Sequence, residues 1–409
     1  MNILLINHYA GSDKHGMEFR PFYMAREWVK NGHDVTIVAA DYSHLRKYNP
    51  ELKKDFTVEV IEGVRYIWVK TPKYSGNGVG RIINILTFIN KLKLKARYIS
   101  KAYKPDAVIA SSTYPLDIYP AAKIAKLSKA KLFFEIHDLW PLTPIEIGGF
   151  SPKHPYIMYL QRAEDYAYKK CDGIISILPN ADKHIKDRGF STDNYVFVPN
   201  GVIINNEEKT IDEPNIEQLN RLNQLKNDGY FLVGYTGNHS PANALDTMLK
   251  AAEKMKDKKI KFILVGSGNI KDELIKYRDE HNIDNVEFLD PVKKDAIPFI
   301  LSKLDVAYMS LRKESLFRFG VSPNKLFDYM MAAKPILYSV EASNDPVSDA
   351  KCGISVKAEN PDEVVKALDK FMSFTEEERI IMGNRGKEFV MKNHKYDILA
   401  DKFLNALKK

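Results

Sequence analysis

Residues 1–40 read MNILLINHYAGSDKHGMEFRPFYMAREWVKNGHDVTIVAA. Residues 3–7 form a short apolar run of the length of a buried strand. A polar, glycine-containing loop follows at 10–17. Residues 19–31 read as a helix, which Asn31-Gly32 stops, and 34–39 form the next apolar strand. Strand–loop–helix–strand is how a doubly wound α/β sheet begins.

The pattern recurs downstream. Residues 107–110, 131–136, 173–177 and 195–198 read as strands with helical stretches between them. This series ends at Pro199-Asn200-Gly201, and residues 203–220 are polar and acidic, like a linker surface. A second series has strands at 231–235, 261–265, 286–289, 306–309 and 336–339. Its helices are expected at 242–255, from 271, near 296–302, and at 323–332, 362–371, 376–392 and 396–407. Two α/β units of similar size predict twin Rossmann-like domains, 1–202 and 203–392, with the cleft between them as the default site.

Composition agrees with that size. The chain has 409 residues, 44% hydrophobic and 28% charged, which excludes a disordered tail, a collagen or a coiled coil. Its two cysteines, Cys171 and Cys352, cannot build a disulfide framework and fit a reducing cytosol. Residues 1–8 lack the charged start of a signal peptide, and no run of about 18 apolar residues exists to span a bilayer. A cytoplasmic chain is expected.

The net charge of +8 is uneven. Residues 1–202 hold 29 Lys and Arg against 20 Asp and Glu, and residues 63–105 hold ten basic residues and no acid. At helical spacing Ile82, Ile85, Leu86, Phe88, Ile89 and Leu92 share one arc. Asn84, Asn90, Lys91, Lys95, Arg97 and Lys101 lie opposite, while Lys93 and Ile83 break the pattern. A basic amphipathic helix can lie on an anionic lipid surface, with Arg81, Phe88, Lys91, Lys93, Lys95 and Arg97 as its contacts; the alternative is a helix packed on its own domain with a solvated basic face. Nothing resembles a nucleic-acid-binding motif.

The second unit holds two copies of one device. Strand residues to Gly237 lead into Asn238-His239-Ser240-Pro241, and Gly320-Val321-Ser322-Pro323-Asn324-Lys325 repeats the arrangement. Ser240 and Ser322 suit N-caps, and Pro241 and Pro323 suit the first helical position. Helix starts bind phosphate through free amides and their dipole, and Lys325 adds a full charge. The pair makes a diphosphate cradle; singly, each is an ordinary helix cap. Gly266-Ser267-Gly268 offers another loop on the same edge, and Asp328, one turn beyond Lys325, can hold a ribose. In the first unit an apolar run ends in His137-Asp138. His137 can donate to a substrate hydroxyl with Asp138 orienting it, or the two can form a structural cap. Glu18, beside Gly16 and Met17, is either an acid–base group or a helix-start residue favoured by the dipole. No P-loop, HExxH, G-x-S-x-G or Asp-x-Asp occurs, so charge on a diphosphate would have to come from the protein.

At these residues the chain resembles a family 4 glycosyltransferase of the GT-B fold, over nearly its whole length. The resemblance is carried by the Gly16 loop, Asn31-Gly32-His33-Asp34-Val35, His137-Asp138, Val198-Pro199-Asn200-Gly201-Val202, Gly234-Tyr235-Thr236-Gly237-Asn238 and Val265-Gly266-Ser267-Gly268. The most specific part is Pro323-Asn324-Lys325-Leu326-Phe327-Asp328-Tyr329-Met330 with Ala333-Lys334-Pro335. It is similar to the subgroup that adds N-acetyl-fucosamine or related amino sugars in bacterial O-antigen and capsule assembly.

The resemblance implies transfer of a sugar from a UDP-sugar, with retention and without a required metal or other cofactor. The expected acceptor is a glycan or a polyprenyl-diphosphate-linked glycan, at the inner face of the cell membrane. It implies that the last residues, about 393–409, cross back to the first domain. It assigns the diphosphate to Gly16, Asn238, Ser240, Ser322, Asn324 and Lys325, the ribose to Asp328, and the base to Gly266, Pro291 and Val292. The donor sugar falls to His137, Phe319, Gly320, Val321 and Ser322, and catalysis to His137, Lys325 and Glu18. Many members carry two Glu seven residues apart; here Asp328 takes the second place and Gly320 the first. Many carry an Arg and a Lys where Asn238, His239 and Ser240 stand, which leaves more of the charge to Lys325. A nucleotide-sugar 2-epimerase of the same plan, or a non-catalytic nucleotide-sugar-binding subunit, are the alternatives.

Overall fold

The computed structural model of the chain describes residues 1–76, 78–204, 214 and 216–409. Most of the expected linker surface at 203–220 lies outside the described residues. The chain divides into two compact units. Unit 1 comprises Met1–Ile203, Arg318–Ser322 and Tyr396–Lys409, and unit 2 comprises Ile204–Phe317 and Pro323–Lys395.

Unit 1 is built on β1 (Asn2–Ile6), β2 (Asp34–Ala40), β3 (Thr57–Ile61), β4 (Val64–Val69), β5 (Ala107–Ala110), β6 (Lys131–Ile136), β7 (Gly173–Ser176) and β8 (Tyr195–Phe197). They form an 8-stranded sheet in the order β3-β4-β2-β1-β5-β6-β7-β8. All neighbours pair parallel except β3 with β4. Sequence reasoning missed the β3–β4 hairpin. Val58 and Val60 of β3 face solvent, so its alternation does not point to a core.

Unit 2 is built on β9 (Phe231–Thr236), β10 (Ile260–Val265), β11 (Val286–Leu289), β12 (Val306–Ser310), β13 (Ile336–Ser339) and β14 (Gly353–Val356). Its 6-stranded sheet has the order β11-β10-β9-β12-β13-β14, parallel throughout. The four-residue β14 was not expected. The chain order reverses at β1/β5 in unit 1 and at β9/β12 in unit 2. In open α/β sheets the carboxyl edge at such a reversal is where ligands bind.

The last helix, Tyr396–Lys408, belongs to unit 1. Tyr396, Leu399, Ala400, Phe403, Leu404 and Leu407 join the same core as Phe22, Trp28, Ile37, Trp68 and Ile109. Trp28 donates its indole N–H to the Ala400 carbonyl at 3.1 Å.

The basic segment forms a 25-residue helix, Val79–Tyr103. Its apolar arc turns inward: Ile85, Phe88, Ile89 and Leu92 are buried in unit 1. Phe88 is therefore a core residue and not a lipid contact. Asn84, placed among the outward residues by helical spacing, is also buried, donating to Thr71 Oγ1 and the Pro72 carbonyl. Lys91 pairs with Asp55 at 2.5 Å, and the Lys93 ammonium sits 4.9 Å over the Tyr119 ring. No helix among the described residues is long and apolar enough to cross a membrane.

Candidate functional site

Two loops meet at the carboxyl edge of the unit 2 sheet, one after β9 and one after β10. Gly237 and Gly266 let them touch, with φ of 140° and 148°. A Cβ on Gly266 would lie 2.0 Å from the Gly237 carbonyl oxygen. One on Gly237 would lie 2.9 Å from Lys325 Cε. The glycines thus make room for a lysine.

Lys325 is the second residue of the helix Asn324–Met331. Its ammonium donates to the Tyr235 hydroxyl at 2.5 Å and lies 3.8 Å from the ring centroid. Burial pushes Lys325 down to about 7, with Asp328 opposing weakly. It is therefore a cation of adjustable charge, held by a phenol that keeps its own proton because burial raises it. Asp328 stands one turn away; desolvation pushes its carboxyl up to about 6, opposed by the Lys294 and Lys325 charges. His239 is fully buried beside the Tyr235 and Phe288 rings, and neither ring nitrogen has a hydrogen-bond partner among the described residues. Burial, then the Lys271 and Lys325 charges, pushes its imidazole down to about 4.

The Ser-Pro device differs from expectation. Pro241–Asn243 is one 3₁₀ turn, and the α-helix begins only at Leu245 after Ala244 in the left-handed region. The Ser240 hydroxyl accepts from the Asn243 amide rather than from a helix N–H. Ser322 does not cap the helix either: its hydroxyl accepts from the Asn200 backbone N–H at 2.9 Å, and Pro323 takes the cap position. At Ser322 tertiary hydrogen bonding wins, because a hydroxyl bonded to a distant backbone amide is not available to its own helix; at Ser240 a local side-chain amide takes the hydroxyl.

In unit 1, Asn7, Ser111 and His137 follow the carboxyl ends of β1, β5 and β6. His137 Nε2 lies 3.0 Å from Ser111 Oγ and 3.2 Å from Glu135 Oε2. Glu135 is two residues earlier, so strand alternation puts both on one face. Asp138 does not orient His137. Its carboxylate accepts from the Leu139 N–H, the Trp140 indole and the Thr143 hydroxyl, and closes a turn. Gly16, at φ 93°, closes a loop whose Ser12–Gly16 bridge lies against Gly11. The Glu18 carboxylate is half-buried, and no hydrogen bond among the described residues engages it.

Phe319 and Val321 are buried, with the Phe319 ring 5.7 Å from that of His184, so in this segment only backbone is available to a ligand. Pro291 and Val292 lie in the loop after β11, exposed and half-buried. Among the described residues no group of three or more His, Cys, Asp or Glu is arranged to hold a metal.

Comparison with known proteins decides the family. Residues 230–373 match the glycosyl transferases group 1 profile, and residues 15–201 match the glycosyl transferase 4-like domain. The chain is a group 1 glycosyltransferase. It is 23% identical over 324 residues to a protein named as a colanic acid biosynthesis glycosyl transferase, WcaI of Escherichia coli strain K12, covering 77% of this chain and 78% of that one. Sucrose-phosphate synthase from Thermosynechococcus elongatus matches with a TM-score of 0.73 at 13% identity, over 99% of this chain and 98% of that one. Anabaena HepE, solved in complex with UDP and glucose, matches with a TM-score of 0.68 at 14% identity, over 100% of each chain. The shared fold is GT-B, and the two sheets above are its two Rossmann-like domains.

Within this glycosyltransferase, sequence reasoning missed Tyr235, His239, Ser111, Glu135 and Arg20. The signal for Glu135 was present: one carboxylate inside the apolar run Lys131–Ile136, on the same face as a histidine. Tyr235 carried no such signal, since its contact with Lys325 spans 90 residues.

Proposed function

We propose that the chain is a retaining, metal-independent transferase that takes a UDP-sugar, with an N-acetylated amino or 6-deoxyamino hexose, and extends a bacterial surface glycan. The observation that carries this is Lys325, a desolvated lysine on a helix start beside two glycine loops. Support for a UDP donor comes from the HepE fold match, since HepE was solved with UDP. Support for a glycan product comes from the relative named for colanic acid biosynthesis.

On this reading Lys325, Asn324 and the amides of 237–240 receive the diphosphate. They stabilise the negative charge that develops as the anomeric bond breaks. Asp328 holds the ribose, and backbone near Gly266, Pro291 and Val292 the base. His137 and backbone at 320–322 hold the sugar. A leaving diphosphate oxygen takes the acceptor proton, so no separate protein base is required. In a thermal-shift panel, UDP-sugars are expected to raise the melting temperature more than GDP- or ADP-sugars, because a ligand stabilises the state it binds. Turnover is expected to survive EDTA; loss restored by a divalent ion would overturn metal independence.

A lipid-linked acceptor is supported by the outer side of helix Val79–Tyr103. There Val79, Ile83, Leu94 and Tyr98 are exposed, Leu94 at 83%, beside Lys95, Arg97 and Lys101. This is the opposite side from the arc that sequence periodicity singled out. Charge reversal at Lys95, Arg97 and Lys101 is expected to weaken sedimentation with anionic vesicles, most at low salt, by roughly 1 kcal/mol per residue. Unchanged binding would return the face to plain solvent exposure.

A further inference from the structure

Glu135 lies at the centre of a buried hydrogen-bond cluster in unit 1. Its Oε1 accepts from Arg20 Nε at 2.9 Å, and its Oε2 accepts from the Ser111 hydroxyl at 2.6 Å. Arg20 and Glu135 are each 2% exposed. Burial would raise the carboxyl, but the His137 and Arg20 charges and the His137 and Ser111 hydrogen bonds outweigh it and hold Glu135 at about 2. It is an anion throughout the working range.

The donor count then fixes the histidine. The single Ser111 hydroxyl proton goes to Glu135. Ser111 Oγ also lies 3.2 Å from Asn7 Nδ2 and 3.0 Å from His137 Nε2, so toward both it can only accept. His137 Nε2 faces a carboxylate and a lone pair, and must carry a proton. No hydrogen bond among the described residues engages Nδ1.

Arg20 has a second task. Its Nη1 and Nη2 donate to the carbonyls of Pro199 and Val198 at 2.6 and 2.8 Å. The next residue, Asn200, holds Ser322 through its backbone N–H and its side-chain amide, at 2.9 and 2.7 Å. One guanidinium thus ties the carboxylate behind His137 to the segment that positions Ser322.

We infer that Glu135 and Arg20 are positioning residues for His137: they hold the imidazole in the Nε2–H form and leave Nδ1 as the atom offered to substrate. Roles at the reaction rest on the function proposed above, but the tautomer does not. A ligand hydroxyl would donate to neutral Nδ1, whereas an anionic oxygen would accept from it once protonated. Glu135→Gln keeps the shape but supplies N–H donors where a carboxylate accepted, which removes the reason for the proton on Nε2.

Long-range ¹H–¹⁵N correlation of ring-labelled histidine, with His137→Gln to assign the signal, reads the tautomer directly. The wild type is expected in the Nε2–H form, and Glu135→Gln in a mixture or in the Nδ1–H form. The double variant Arg20→Met with Glu135→Leu removes the same acceptor without stranding a buried charge, should Glu135→Gln fold poorly. Turnover in Glu135→Gln is expected to fall about 10- to 100-fold, the cost of a misplaced contact to the reacting sugar. Arg20→Lys keeps the charge but not the three-pronged grip, and should recover the tautomer more than the rate. A wild-type Nδ1–H signal, or an Nε2–H signal untouched in both variants, overturns the inference. Absence of turnover with every donor, alongside the expected tautomers, overturns the transferase reading instead.

Discussion

Lys325→Ala is expected to lower turnover by about a hundredfold, the loss seen when one preorganised charge donor leaves a developing anion. Lys325→Met gives the sharper result. In the free protein Lys325 loses its proton near pH 7, because burial disfavours the ammonium. A bound diphosphate favours the ammonium, so binding above pH 7 takes up one proton. UDP affinity should then be flat below pH 7 and fall by up to about tenfold per pH unit above it, until the bound-state value is passed. Calorimetry in buffers of different ionisation enthalpy measures the proton directly. In Lys325→Met both the slope and the proton uptake should vanish. Stability moves the other way. Between pH 7 and the ordinary lysine range the unfolded chain holds a proton at this position and the folded chain does not, so burial of Lys325 costs stability there. Lys325→Met should therefore be at least as stable as the parent at pH 7, which separates lost chemistry from lost folding. Near-normal turnover in Lys325→Ala would remove this residue from the site.

Phe403→Ala should destabilise unit 1 by about 3–5 kcal/mol, the usual cost of emptying an aromatic site in a close-packed core. Phe403 is fully buried, with its ring 5.1 Å from that of Trp28. Against a typical domain stability of about 5–15 kcal/mol this is a large fraction. The chain's three tryptophans, Trp28, Trp68 and Trp140, all lie in unit 1, so fluorescence during guanidinium unfolding reports on that unit. The midpoint should drop with little change in slope. Removing 396–409 should go further and leave unit 1 unable to fold, since six buried side chains of one core would go with it. A deletion variant with a wild-type fluorescence transition would show that this helix is dispensable.

The sequence by itself determined the two α/β series and most of their strands, and it singled out Lys325. Those features are local: period, glycine placement and a lysine in the first turn of a helix. Helical spacing also found the buried arc of 79–103, but it could not say which partner covered that arc. An apolar stripe looks the same whether its own sheet or a lipid lies against it, and only packing placed Phe88 in the core and Leu94 outside. The hydroxyls show the same limit. Ser240 and Ser322 have the chemistry of caps, yet Asn243 and Asn200 claim them, the second across 122 residues. The Lys325–Tyr235 and Arg20–Glu135 contacts span 90 and 115 residues. Local propensity selects what a residue can do; long-range contacts select which option is used, because each buried donor or acceptor goes to the partner that the fold brings nearest.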